Sequence, residues 1–146
     1  MPSPRFQDES RCCAPTAPSV STTPKSAKEV ALRGKDLLVL TKTRTLEIYD
    51  SRSGGHLRSW PVPVGAATLD AYAGLAAYAD HPKYSGQRFR VHVLQLRTGK
   101  DVVVGKGTYW GRPRRDVELE APGLVCAKNS KTLVFIPRGR LLAAVS

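Results

Sequence analysis

The sequence predicts an all-β fold of antiparallel four-stranded sheets, about two to three of them, behind a disordered N-terminal leader. Three observations carry this. Apolar residues come in short runs or alternate with a period of two, and no segment sustains the 3.6-residue period of a capped helix. Gly-containing turn signals separate the runs. A strand–turn–strand unit recurs, with its second strands starting at Leu37, Leu75 and Leu124, which are 38 and 49 residues apart.

The elements follow in order. Residues 1–28 hold five Pro and many Ser and Thr, with Phe6 the one aromatic. Such a stretch buries too little apolar surface to offset its ordering entropy, so it reads as a leader outside the domain. Lys35 to Thr41 is an apolar β-forming run, and Thr45 to Asp50 alternates Leu46 and Ile48 with Glu47 and Tyr49. Gly54-Gly55 supplies a turn, and His56 to Val62 returns as a strand that Pro61 and Pro63 confine to a sheet edge. Leu75 to Ala79 and Arg88 to Leu96 are the next strands. In the latter, Phe89, Val91, Val93 and Gln95 face one way, and Arg90, His92, Leu94 and Leu96 the other. A turn over Arg97-Thr98-Gly99-Lys100 leads into Asp101 to Val104. Leu124 to Lys128, an Asn129-Ser130 turn and Lys131 to Pro137 follow. Gly139 to Val145 fits a short terminal helix or a further strand.

The repeat divides the chain after the leader into units of about 29–64, 65–115 and 116–146. Val30 to Leu37, Thr68 to Leu75 and Val117 to Leu124 align as first strand, turn and start of the second strand. The turns Tyr49 to Gly54 and Gln95 to Lys100 align after the third strands. Two loop expansions, His81 to Gln87 and Gly105 to Arg115, account for the longer second offset. Four short antiparallel strands in units of about 40–50 residues is the blade pattern of β-propellers.

The Ile48-Tyr49-Asp50 turn with Gly54 resembles the aromatic-Asp and Gly turn of WD-repeat and TolB-like propellers. The run from Val91 to Val103 is similar to the C-terminal blades of TolB-like bacterial propeller proteins, as are Leu119 to Val125 and Val134 to Pro137. The likeness covers about residues 29–146, and its motifs are structural rather than catalytic. It departs from the pattern where Leu96 replaces the turn Asp, where the usual His before each blade is missing, and where the third unit ends before a fourth strand. A closed propeller needs at least four blades. The resemblance therefore implies an incomplete propeller: the C-terminal piece of a longer one, a self-associating chain, or an open assembly whose unpaired strand edges invite association.

A chain of 146 residues supports one domain. No run approaches the roughly 18 apolar residues of a membrane helix, and three Cys do not make a disulfide scaffold. No secretory pattern opens the sequence, so the expected location is the cytoplasm. The net charge is +11, with 23 Lys and Arg against 12 Asp and Glu. Most of the excess lies after the leader, where it is scattered over strand ends, which protects edges and aids solubility. No RNP, KH, zinc-finger or helix-turn-helix signature accompanies it, so nucleic acid is not the favoured partner.

Catalytic, cofactor and metal signatures are absent. His56, His81 and His92 share no metal spacing, and His92 reads as a packed or solvated strand residue beside Arg90. Cys126 reads as a buried thiol, and Cys12-Cys13 as tail thiols without nearby ligands. Gly105-Lys106-Gly107 has neither P-loop nor dinucleotide spacing. Asp116, Glu118 and Glu120 alternate along one solvated strand face. The binding candidate is the loop Gly107 to Arg115. There Tyr109 and Trp110 can stack on a ligand or fill a partner's pocket, and Arg112, Arg114 and Arg115 can pair with anions. The competing reading has Trp110 capping the core between two units. The expected function is a non-enzymatic protein-interaction or scaffold module. The alternatives are a basic surface for an acidic partner, nucleic acid included, and a fragment of a propeller enzyme or carbohydrate-binding propeller.

Overall fold

The computed structural model describes residues 27–63, 65–80, 88–108, 117–129 and 131–146. Among the described residues the fold is all-β, with three antiparallel blade-like sheets, one short helix and no closed barrel. Sheet 1 has the order β1(Ala27–Arg33), β2(Asp36–Thr41), β3(Thr45–Asp50), β4(His56–Pro61). Sheet 2 repeats it with β5(Ala66–Tyr72), β6(Leu75–Asp80), β7(Arg88–Gln95), β8(Asp101–Thr108). Sheet 3 has three strands, β9(Val117–Glu120), β10(Gly123–Ala127) and β11(Leu133–Pro137), followed by α1(Arg138–Val145). β4, which ends at Pro61, lies at a sheet edge, where proline's missing N–H is tolerated.

Sheet 2 is packed on both faces, and the alternation of β6 and β7 shows why. Leu75, Ala77, Ala79, Phe89, Val91 and Val93 join one core with Val117, Leu119, Leu124, Cys126 and Ile136 of sheet 3. Ala76, Tyr78 and Leu94 point the other way, into a second core with Leu38, Leu40, Leu46 and Ile48 of sheet 1. The two faces read from Arg88 to Leu96 are these two cores. Alanines at 76, 77 and 79 let both neighbouring sheets approach closely.

The first strands of the sheets lie side by side and run the same way. Lys28 Nζ, early in β1, donates to the Ala66 carbonyl at the start of β5 (2.6 Å). Asp70 Oδ2 accepts the Leu119 N–H of β9 (2.8 Å). Arg33, ending β1, donates to Glu120 Oε2, ending β9 (2.8 Å). Each sheet also carries the same turn bond, in which the residue after the third strand donates back to the carbonyl preceding the second. These bonds are Ser51 to Lys35 (2.8 Å), Leu96 to Gly74 (2.9 Å) and Arg138 to Pro122 (3.0 Å).

The register corrects the sequence alignment. The second strands begin at Asp36, Leu75 and Gly123, so unit 2 slips by one residue against Leu37 and Leu124. A one-residue slip exchanges the faces of a strand. Only the corrected register places Leu38 and Ala77 alike toward the following sheet, and Ala76 and Leu124 alike toward the preceding one. The turn after β7 slips equally. Gly99 N–H bonds to Gln95 O (2.8 Å) as Gly54 N–H bonds to Asp50 O (2.7 Å), with φ of +79° and +75° at the two glycines. Gln95, not Leu96, therefore stands in the place of the turn Asp.

Two further expectations change, and the open reading of the C-terminal segment is decided. Ala27 and Lys28, read as leader, belong to β1. Gly105 to Thr108, read as loop, continues β8, because glycine there lets β10 come near. A Cβ on Gly107 would lie 2.5 Å from the Lys128 carbonyl and from Phe89. The terminal segment is helical, and its Leu141 and Val145 are buried in the core between sheets 2 and 3. Among the described residues no helix is long and apolar enough to cross a membrane.

Candidate functional site

Three strands of sheet 2 bring together the densest polar cluster among the described residues. Register sets Tyr78 opposite His92, Asp80 opposite Arg90, and Asp101 opposite Leu94. The period-2 alternation puts Tyr78, Asp80, Arg90 and His92 on the face toward sheet 1. The Tyr78 and His92 rings stack with centroids 4.7 Å apart and planes 9° apart. His92 Nδ1 lies 2.8 Å from Asp101 Oδ1, and its Nε2 lies 2.6 Å from Asp80 Oδ2. Tyr78 donates its hydroxyl to Asp101 Oδ2. Arg90 grips Asp80 with two parallel bonds, Nε to Oδ1 (3.1 Å) and Nη2 to Oδ2 (3.0 Å).

The electrostatics follow from that geometry. Each ring nitrogen of His92 faces a carboxyl oxygen, an arrangement that favours the doubly protonated imidazolium over either neutral tautomer. Burial pushes the His92 pKa down, but the hydrogen bonds and charges of Asp101 and Asp80 outweigh it and hold it above the usual value. Burial, then the bond to Asp101, raises the Tyr78 hydroxyl far above the usual phenol range. The cluster thus sets two carboxyl groups against one imidazole and one guanidinium. None of the cluster's buried polar atoms lacks a partner. Both nitrogens of His92 are engaged, so it offers no lone pair to a substrate proton. Its carboxylate partners stand where a nucleophile would be needed.

Sheet 1 holds a counterpart with the partners exchanged. Glu47 occupies the place of His92 and His56 that of Asp101. Glu47 Oε1 lies 2.7 Å from His56 Nε2, and Tyr49 meets the His56 ring edge-on at 5.2 Å. His56 is 47% exposed where His92 is 7%. Burial raises the Glu47 pKa, but hydrogen bonds from Ser59, Thr45 and His56 bring it below the usual carboxylate value. A third polar group joins the first strands: buried Asp70 accepts the N–H groups of Ala71 (2.9 Å) and Leu119, with Arg33 at 3.6 Å.

The sequence-derived binding residues Tyr109, Trp110, Arg112, Arg114 and Arg115 lie outside the described residues. The strands leading to them are placed, however. Thr108 pairs with Arg88, Lys106 with Arg90, and the Thr108 N–H bonds to the Lys128 carbonyl (2.8 Å). Arg88 and Lys106 of sheet 2 and Lys128 and Lys131 of sheet 3 therefore lie toward the same end of the two sheets. At the opposite end a cleft of about 370 Å³ between sheets 1 and 2 is lined by Lys35, Arg58 and Arg97 over Ile48, Leu96 and Leu142.

Cys126 is buried, as expected. Among the described residues no group of three or more His, Cys, Asp or Glu side chains is set to hold a metal. Of the main cluster, sequence reasoning singled out only His92, with Arg90 on its face. Tyr78, Asp80 and Asp101 were missed. The available signal was two carboxylates, scarce in this chain, at the ends of otherwise apolar strands.

No protein-family model matches the chain. Among solved structures, that of the computationally designed Ika4 protein aligns with a TM-score of 0.42 and 9% identity, over 82% of this chain and 95% of that one.

Proposed function

We propose that this chain is a non-enzymatic interaction module whose three sheets are blades of a β-propeller-like array. The observation that carries the reading is the closure of the Tyr78–Asp80–Arg90–His92–Asp101 cluster. Its polar atoms are spent on one another and tie β6, β7 and β8 together, which is a structural use of groups that elsewhere serve catalysis. The parallel first strands and the threefold turn bond support the blade reading. Purified protein is expected to turn over none of a panel of ester, peptide, glycoside and phosphoester substrates. Turnover that a folded His92→Gln variant abolishes would overturn the proposal.

The placement of Arg88, Lys106, Lys128 and Lys131 toward one end of sheets 2 and 3 favours a second reading, in which this end binds an acidic partner. A fluorescent single-stranded oligonucleotide serves as the polyanion probe. Its affinity is expected to fall with log salt at a slope of about −0.7 per phosphate contact. A Lys106→Glu, Lys131→Glu double variant should weaken it about tenfold or more. Binding that ignores salt excludes this reading.

A further inference from the structure

The two outermost sheets each present, on the side away from sheet 2, a face of the kind that the interior buries. In sheet 1, Val30 and Leu32 hold the positions of Leu69 and Ala71 in sheet 2 and of Val117 and Leu119 in sheet 3. Those four counterparts are buried against the preceding sheet, whereas Val30 and Leu32 are 61% and 63% exposed. In sheet 3, Leu133 and Phe135 hold the positions of Leu46 and Ile48 in sheet 1 and of Val91 and Val93 in sheet 2. Those counterparts are buried against the following sheet, whereas Leu133 and Phe135 are 71% and 52% exposed.

We propose that these two faces bind each other between two copies of this chain. The outer face of sheet 3 in one copy seats on the outer face of sheet 1 in another, as sheet 1 seats on sheet 2 and sheet 2 on sheet 3. The internal interfaces identify the occupant, because each joins a face of the first kind to a face of the second. The polar tie extends too. Asp70 crosses from sheet 2 to the Leu119 N–H of sheet 3. Exposed Glu118 stands at the Asp70 position on the free face of sheet 3, and Leu32 stands at the Leu119 position on sheet 1. In the middle of the sheet 1 face Val39 and Tyr49 are already buried, so the surface on offer lies along β1. The two faces are unlike, so the contact is heterologous and closes into a ring or extends into a chain of copies. This inference is independent of the interaction-module reading, since it uses sheet faces and neither the polar cluster nor the basic end.

Sedimentation velocity over a range of concentrations tests it. The wild-type chain should move from 15.9 kDa to whole-number multiples of that mass as concentration rises. Phe135→Asp and Leu32→Asp should each remain at the single-chain mass, with unchanged far-UV circular dichroism because both sites are exposed. Mixed in equal amounts, the two variants should form a dimer, since one retains an intact sheet 1 face and the other an intact sheet 3 face. Leu133→Lys and Val30→Lys replace either variant that does not fold. A wild-type chain that stays at the single-chain mass throughout overturns the proposal. So does assembly that survives both substitutions, as pairing through strand edges would, or a mixture that remains monomeric.

Discussion

An imidazole placed between two carboxylates has its charge set by its neighbours, and the consequence for His92 is a defined pH dependence. The groups around it are Asp101 and Asp80 on its nitrogens, Tyr78 on its ring face, and Arg90 on the far side of Asp80. Its pKa is raised in the folded state, so the folded protein binds more protons than the unfolded chain above about pH 6.5. The stabilisation from His92 is therefore complete below about pH 6.5 and is lost as pH rises through the raised folded value. Urea midpoints measured between pH 6 and 9 should fall for the wild type, and His92→Gln should flatten that part of the slope. His92→Ala leaves Asp80 with Arg90 alone and the partly exposed Asp101 with the Tyr78 hydroxyl alone, and should cost up to about 3 kcal/mol in urea unfolding. The Arg90 arm is half-exposed, so Arg90→Ala should cost less. A histidine beside an arginine was visible in the sequence. Its real partners lie 12 and 9 residues away on other strands, and only the register brings them within 3 Å.

At the scale of elements, strands with strong alternation were legible, and those whose partners set their limits were not. Thr45 to Asp50 carries its own face pattern and its own turn. Gly105 to Thr108 looks like loop because its glycines answer to β10 rather than to a local turn. Helix α1 is ambiguous for a related reason. It has eight residues, no side-chain cap and a glycine in its first turn, and is too short to stand alone in water. Packing decides it, through Leu141 and Val145. Leu141→Ala should therefore lower stability by about 3 kcal/mol, whereas Leu142→Ala, one residue on and exposed, should change it by less than about 0.5 kcal/mol. Chemical denaturation of the two variants makes the comparison, and equal effects would mean that the helix is not docked by its Leu141 face.

For the molecule as a whole, sheet 2 is the shared wall of both cores, and this couples them. Ala76 faces sheet 1 and Ala77 faces sheet 3, both with no exposed surface. Replacing either with Leu overpacks one interface and should cost about 1–3 kcal/mol. Because the wall is common, each variant should still unfold in one transition, with calorimetric and circular-dichroism curves coinciding; separate transitions would show that the outer sheets melt independently. The sequence by itself determined the β class, the repeat and most strand positions, because these rest on period-2 alternation and on turn residues that act within a few positions of the chain. Tertiary structure decided the one-residue register of unit 2, the helical end, the extension of β8 and the polar cluster. Each of those depends on which strand lies opposite, and opposition is settled by burying two faces of one sheet at once, a condition that no local stretch of sequence contains.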